Sequence, residues 1–326
     1  MTAAPEGGTT VVLQPQGPLS LALMQRRMAF AKATEYCAAE DGSVFIVVGD
    51  SDAWDVVRVR EVGRAPHASQ LEVTFSHTDE HRIQGSLRRL RHMLSLDADV
   101  EPFYAAMADD PAMARVTARF RGLRPVLHGD LFASIIKTII GQQLNMAFAG
   151  TLTLRLIQRC GTTAAVGDMV LPVFPSPAAI ARLHYEDLQR LQYSRRKAEY
   201  VIDFARLVDS GAFDLDALWN ADDEDVTARL TKVRGLGRWS AECTLLFGLG
   251  RPDVLPAADI GLRNAVRRVW GLGHQPTEEE VRQLGERWRP FRSLATFYLW
   301  ETLSEDAGNA PKGPQEGAPK EPVPKT

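Results

Sequence analysis

The chain has 326 residues, of which 45% are hydrophobic and 24% charged, with a formal net charge of −3. That length suffices for two domains with separate cores, and the composition is ordinary for a globular protein. Cys37, Cys160 and Cys243 are far apart, with neither a disulfide framework nor a zinc or iron–sulfur spacing, so no cofactor and a reducing compartment are expected. The N-terminus lacks the basic start and apolar core of a signal peptide, and no stretch reaches the roughly 18–20 apolar residues of a membrane span. A cytoplasmic, monomeric protein without a membrane partner is the expectation. The slightly acidic balance does not exclude nucleic acid, because a local basic face is enough to bind phosphate.

In chain order, residues 1–10 read as frayed and 19–36 as a helix. Three β-branched stretches follow at 43–48, 54–60 and 70–75, separated by turns bearing Gly, Asp and Pro. Residues 79–96 return to helical spacing, with Ile83, Leu87, Leu90 and Leu94 on one stripe. Together they predict an α+β domain over 11–99, an antiparallel sheet covered on one side by helices. From 100 to 303 no stretch alternates convincingly, which predicts an all-α domain over 100–304 with a central cleft. Its long apolar helix from Phe132 is expected to turn or kink near Gly141, and another starts where Ser176 caps and Pro177 fits the first turn. Further helices are expected at 186–191, 195–209, 214–219, 222–232, 238–248, 260–270, 277–285 and 292–303. The stretch 305–326, rich in Pro, Gly and charge, reads as disordered.

The most informative run is Leu230-Thr231-Lys232-Val233-Arg234-Gly235-Leu236-Gly237-Arg238-Trp239-Ser240-Ala241. Two glycines around one leucine make a tight hairpin, allowing positive φ and close backbone approach. The small Ser240 and Ala241 open the next helix, whose free N–H groups favour an anion such as a DNA phosphate. Arg229, Lys232, Arg234 and Arg238 surround it. One helix later comes Leu255-Pro256-Ala257-Ala258-Asp259, with the acid at a helix mouth. An N-cap is its bland reading; an ionised carboxylate facing a cationic transition state is its chemical one. Asp253 competes but reads as a loop residue. In Gly141-Gln142-Gln143-Leu144-Asn145, the amides either cap the helix bend or reach base edges or a vacated stack, and Leu144 suits an apolar wedge. Among the aromatics, Phe297 and Trp288 read as core, while Trp239 and Trp300 are candidates for the wall of a base pocket. The seven histidines show no ligand or triad pattern and receive no role.

These residues together resemble the helix-hairpin-helix DNA glycosylases, specifically the bacterial DNA-3-methyladenine glycosylase II family. The likeness rests on the hairpin Gly235–Ala241, the segment ending at Asp259, Gly141–Asn145 and Arg287-Trp288-Arg289-Pro290-Phe291-Arg292-Ser293, in that family's set, and spans about residues 11–303. It implies an enzyme that hydrolyses the N-glycosidic bond of alkylated purines in double-stranded DNA. Asp259 would be its catalytic carboxylate, Trp239 and Trp300 its pocket lining, and Gln143, or its neighbour Leu144, the filler of the gap. The hairpin amides would hold phosphate, with the carbonyls of Val233 and Gly235 suited to a monovalent cation. Two departures matter. Cys243, a base-pocket residue, stands where one branch has tyrosine and leaves that wall less aromatic, and Trp239 stands where strand-cleaving relatives have a Schiff-base lysine, so no lyase activity is expected. A non-catalytic binder of damaged DNA, or a glycosylase for another lesion, is the alternative.

Overall fold

The computed structural model describes residues 8–31, 34–50, 53–63 and 68–309. The N-terminal domain is built on a five-stranded antiparallel sheet. Its strands are β1 (Thr10–Leu13), β2 (Tyr36–Ala38), β3 (Val44–Asp50), β4 (Ala53–Val62) and β5 (Gln70–Thr74), in the order β1-β5-β4-β3-β2. Val44, Ile46, Val48, Val57, Val59, Leu71 and Val73 point to one face and pack on helices Leu21–Phe30 and Glu80–Met93.

Two strands exceed expectation. β1 begins at Thr10, the last residue of the stretch read as frayed, and β2 begins at Tyr36, the last residue assigned to a helix that in fact stops at Phe30. Both are short edge strands, too brief for alternation to be visible.

The larger correction lies in the region expected to be free of strands. β6 (Thr162–Val166) and β7 (Met169–Val173) form a hairpin closed by Gly167 and Asp168, with Gly167 at φ 53. Gly-Asp between apolar residues was the available hairpin signal. Ala164, Leu171 and Val173 of this hairpin cover Phe45, Val47 and Val56 on the second face of the sheet. The sheet is therefore buried on both faces near β3, which explains why 44–48 reads as a continuous apolar run.

The rest of the chain is helical, around a second core running from Val100 to Trp300. Side-chain caps start most helices: Asp130 for Leu131–Gly141, Asn145 for Met146–Cys160, Ser194 for Arg195–Asp209 and Asp259 for Ile260–Val269. Each accepts a backbone N–H three residues on, satisfying a donor the helix leaves open. Helix Arg238–Cys243 continues as a π-helical turn, Thr244–Gly248, and the last helix runs Arg292–Asn309, past the expected end at 303. Residues 310–326, most of the stretch expected to be disordered, lie outside the described residues. No helix among the described residues is long and apolar enough to cross a membrane.

Candidate active site

Asp259 gathers three parts of the chain. As the N-cap of Ile260–Val269 its Oδ1 accepts the Leu262 N–H at 2.8 Å. The indole of Trp300, on the last helix, donates to the same oxygen at 3.1 Å, and that of Trp239, just past the hairpin, donates to Oδ2 at 3.1 Å. Donors on both oxygens suit the ionised carboxylate, which only accepts. Gly261 leaves room for this arrangement: a Cβ there would lie 2.9 Å from Asp259 Oδ1 and 3.3 Å from Trp300 Nε1. Asp253 is engaged elsewhere, by Arg292 at 2.7 Å and Arg289 at 3.0 Å. Ser293 accepts the Val254 N–H at 2.9 Å and donates to the Arg251 carbonyl at 2.6 Å. The Arg287–Ser293 segment thus braces the loop that leads to Asp259.

Asp259 opens onto a cavity of about 450 Å³ between the two domains, where Trp239, Cys243, Phe247, Trp300 and, from the N-terminal domain, Arg27 also form the wall. Trp300 is only 8% exposed. Phe247 lies nearly parallel to it at 5.6 Å, and the Arg27 guanidinium sits 5.9 Å from its ring centroid. Trp300 is thus packed as a holder of Asp259, while Trp239 is the more open indole. Burial, then the charges of Asp259 and Glu242, push the Cys243 thiol well above its usual range. Phe247 and Arg27 were missed from sequence. Phe247 falls four residues after Cys243, one helical turn on, whereas Arg27 gave no local signal.

Three polar groups to which sequence assigned nothing also line the cavity. Glu35 pairs with Lys137, joining the two domains. Burial alone would raise the Glu35 carboxyl, but the Lys137 ammonium outweighs it and brings it down to about 2. Burial, helped by Lys137, lowers His128 to about 3, so it is neutral, with Nδ1 at 2.9 Å from Ser134 Oγ.

The hairpin needs one of its glycines for shape. Gly235 has φ +93, and a Cβ there would strike the Tyr200 ring at 2.3 Å. Gly237, expected to use positive φ as well, has φ −103, and a Cβ on it would meet open space. Leu236 and Ser240, expected at the DNA surface, are buried, so only their backbone is available there. Gln142 is likewise committed inward: its Nε2 donates to the Gly235 carbonyl at 2.8 Å and to Ser240 Oγ at 3.0 Å. The Val233 carbonyl accepts the Leu236 N–H at 3.1 Å, so each carbonyl suggested for a cation keeps one lone pair. The surrounding positive charge is smaller than the sequence count. Arg229 pairs with Asp225 and Arg234 with Glu199, each at 2.7 Å, and Arg238 with Glu242 at 3.0 Å, leaving Lys232 exposed beside them.

The turn after Leu131–Gly141 is held by Lys197, which donates to the carbonyls of Ile140 and Gln142. Burial brings Lys197 down to about 8. Gln143 is exposed at φ 57, an uncommon conformation for a residue with a side chain. Leu144 instead packs against the helical core.

An α+β domain docked on a helix-hairpin-helix body, with a carboxylate in the cavity between them, defines a class of DNA repair protein. The chain belongs to the HhH-GPD superfamily of base excision DNA repair proteins, whose family model matches residues 136–290, and the AlkA N-terminal domain matches residues 30–126. A DNA-3-methyladenine glycosylase of Bacillus subtilis is 32% identical over 217 residues, 67% of this chain and 72% of that protein. The solved 3-methyladenine DNA glycosylase of Archaeoglobus fulgidus superposes with a TM-score of 0.78 at 26% identity, covering 89% of this chain and 97% of that one. The Schizosaccharomyces pombe 3-methyladenine DNA glycosylase, solved with abasic DNA, gives a TM-score of 0.54 at 26% identity over 62% of this chain and 96% of that one.

Proposed function

We propose that this chain is a monofunctional DNA glycosylase that releases alkylated purines, 3-methyladenine and 7-methylguanine among them, from double-stranded DNA. The observation that carries the reading is the Asp259 carboxylate, fixed by two indole N–H groups and a helix amide at the wall of the interdomain cavity. A base must leave the stack to reach such a cavity, at a cost of a few kcal/mol. Backbone N–H groups around Gly235 and Gly237 grip phosphate to offset that cost. Gln143, exposed on its held turn, fills the vacated stack, while Leu144 packs against the core and lines the cavity.

Methylation at N3 or N7 gives the purine a positive charge and makes it a good leaving group. Its C1′–N9 bond breaks with the electron pair going to the base, leaving an oxocarbenium-like sugar. Asp259 stabilises that cation and orients the water that bonds to C1′ and gives up a proton to solvent. No general acid is required. Trp239 stands where strand-cleaving relatives carry lysine, and Lys137, which does line the cavity, is engaged by Glu35; neither supplies the free amine that a Schiff base needs.

The experiment is to incubate methylated duplex DNA with the protein and identify the released bases by chromatography. Free methylpurines, with abasic strands left intact, are expected, and Asp259→Asn cuts release about 10²–10³-fold while duplex binding persists. Binding without release from wild type would overturn the enzymatic reading, and strand cleavage at abasic sites would overturn the monofunctional one.

A further inference from the structure

A second cleft, of about 550 Å³, opens on the helical body and shares no wall residue with the Asp259 cavity. The turn between helices Glu101–Met107 and Pro111–Arg119 supplies Asp109 and Asp110, Arg115 follows on the second helix, and Arg287 and Trp288 complete the wall. Trp270 joins them from the C-terminal end of helix Ile260–Val269, one helix length or about 15 Å from Asp259 at its other end.

Two buried atoms of this wall have no hydrogen-bond partner among the described residues, the Trp288 indole Nε1 and Asp110 Oδ2. Trp288 is wholly buried. Asp110 uses Oδ1 to cap helix Pro111–Arg119, accepting the N–H groups of Ala112 at 2.9 Å and Met113 at 3.2 Å. Arg287 is 3.7 Å from Oδ2, beyond hydrogen-bond reach. A buried donor and a buried acceptor left open are each costly. Their complement is a ligand that brings both a carbonyl oxygen and an N–H donor to the rings of Trp270 and Trp288, whose centroids are 5.8 Å apart.

Such a ligand is written in this chain. Residues 310–326 include five prolines and three lysines. Proline has no N–H, and proline-rich segments make no internal hydrogen bonds, so their carbonyls are free acceptors and they suit aromatic-lined grooves. Within Pro319-Lys320-Glu321-Pro322-Val323-Pro324-Lys325 a cation also stands next to an anion, as Asp109 and Asp110 share the cleft with Arg115 and Arg287. Length permits the return. Helix Arg292–Asn309 starts just after Trp288 and its 18 residues carry the chain about 27 Å away. Pro319 to Lys325 lie ten to sixteen residues beyond Asn309, about 31–50 Å of extended chain.

We propose that this cleft is the docking site of the chain's own segment 319–325: a backbone carbonyl of that segment accepts the Trp288 Nε1–H, the Lys320 ammonium meets Asp110 Oδ2, and the prolines lie on Trp270. The proposal does not depend on the glycosylase reading.

The test uses the full chain. Asp110→Asn keeps the helix cap through its side-chain oxygen and removes the charge that Lys320 meets. Trypsin cuts after Lys320 and after Lys312, the latter outside the docked stretch, so the ratio of the two rates reports docking. That ratio is about tenfold higher in Asp110→Asn than in wild type, as for one lost charge-assisted contact. Lys320→Glu reverses the other charge and speeds solvent exchange of the Trp288 indole proton, read by nitrogen-15 NMR, by about the same factor. An unchanged cleavage ratio, or indole exchange that Lys320→Glu does not alter, would overturn the proposal and leave solvent as the occupant. Protection at Lys320 that is lost on dilution would overturn it as well, because the docked segment would then come from a second copy.

Discussion

Asp259→Asn separates the two tasks of that side chain. Asparagine caps a helix as well as aspartate does, so the Leu262 N–H keeps its acceptor. Oδ1 serves two donors, Leu262 N–H at 2.8 Å and Trp300 Nε1 at 3.1 Å, while Oδ2 serves only Trp239 Nε1 at 3.1 Å. The carboxamide oxygen therefore remains at the Oδ1 position, and its nitrogen faces the Trp239 N–H, donor against donor. An unmet donor in a buried site costs about 1–3 kcal/mol; Trp239 is half-buried, which puts the loss near 1 kcal/mol on that scale. Trp239→Phe removes the conflict and restores stability in the Asp259→Asn background, whereas Trp300→Phe does not. Urea unfolding of the wild type, the three single variants and the two double variants gives both coupling energies. Base release falls about 10²–10³-fold in every variant that carries the asparagine, as for other lost electrostatic stabilisers. An Asp259→Asn protein as stable as wild type, or one rescued by Trp300→Phe, would refute the assignment of donors.

Gly237→Val places its side chain in open space, so the fold tolerates it; DNA affinity drops about tenfold for one lost charge-assisted contact, and by the same factor for every sequence because phosphate carries none. Filter binding at fixed salt checks this, and sequence-dependent losses would count against a backbone grip. Gly261→Ala pushes a methyl to 2.9 Å from Asp259 Oδ1 and slows single-turnover base release about tenfold, with duplex binding retained. Glu35 is a carboxyl depressed on folding, from 4.5 to about 2. Its stabilising contribution is complete above the ordinary value and disappears as pH falls through that interval. Urea midpoints of Glu35→Gln therefore decline less steeply with acid than those of wild type; parallel declines would argue against the ion pair.

The site proved more legible in sequence than the fold around it, because its parts are local motifs. The Gly235–Ala241 run and Asp259 each announce a backbone geometry through one or two residue types, and both tryptophans singled out beside them reach the carboxylate. The burial of Ser240 and the inward bond of Gln142 were hidden because each depends on a partner about a hundred residues away. Arg27 was invisible for the same reason: it reaches the cavity from the other domain, and nothing in its own helix marks it. The strands β6 and β7 escaped because their residues alternate weakly, their role being set by the sheet they cover rather than by solvent. Charge was misjudged around the hairpin, since counting arginines ignores the carboxylates that answer them.

Gln142 has a mechanical consequence. Its single amide nitrogen ties the Gly235–Ala241 hairpin to the turn that carries Gln143, and Lys197 fastens the same turn. On the proposed function, grip and wedge are therefore set at a fixed spacing, like the jaws of a caliper, and adaptation is left to the DNA. Sites where a lesion has already weakened stacking bend to that spacing most cheaply. On that reading, the first sorting of damaged from intact duplex takes place in the stiffness of the DNA, before any base has entered the cavity.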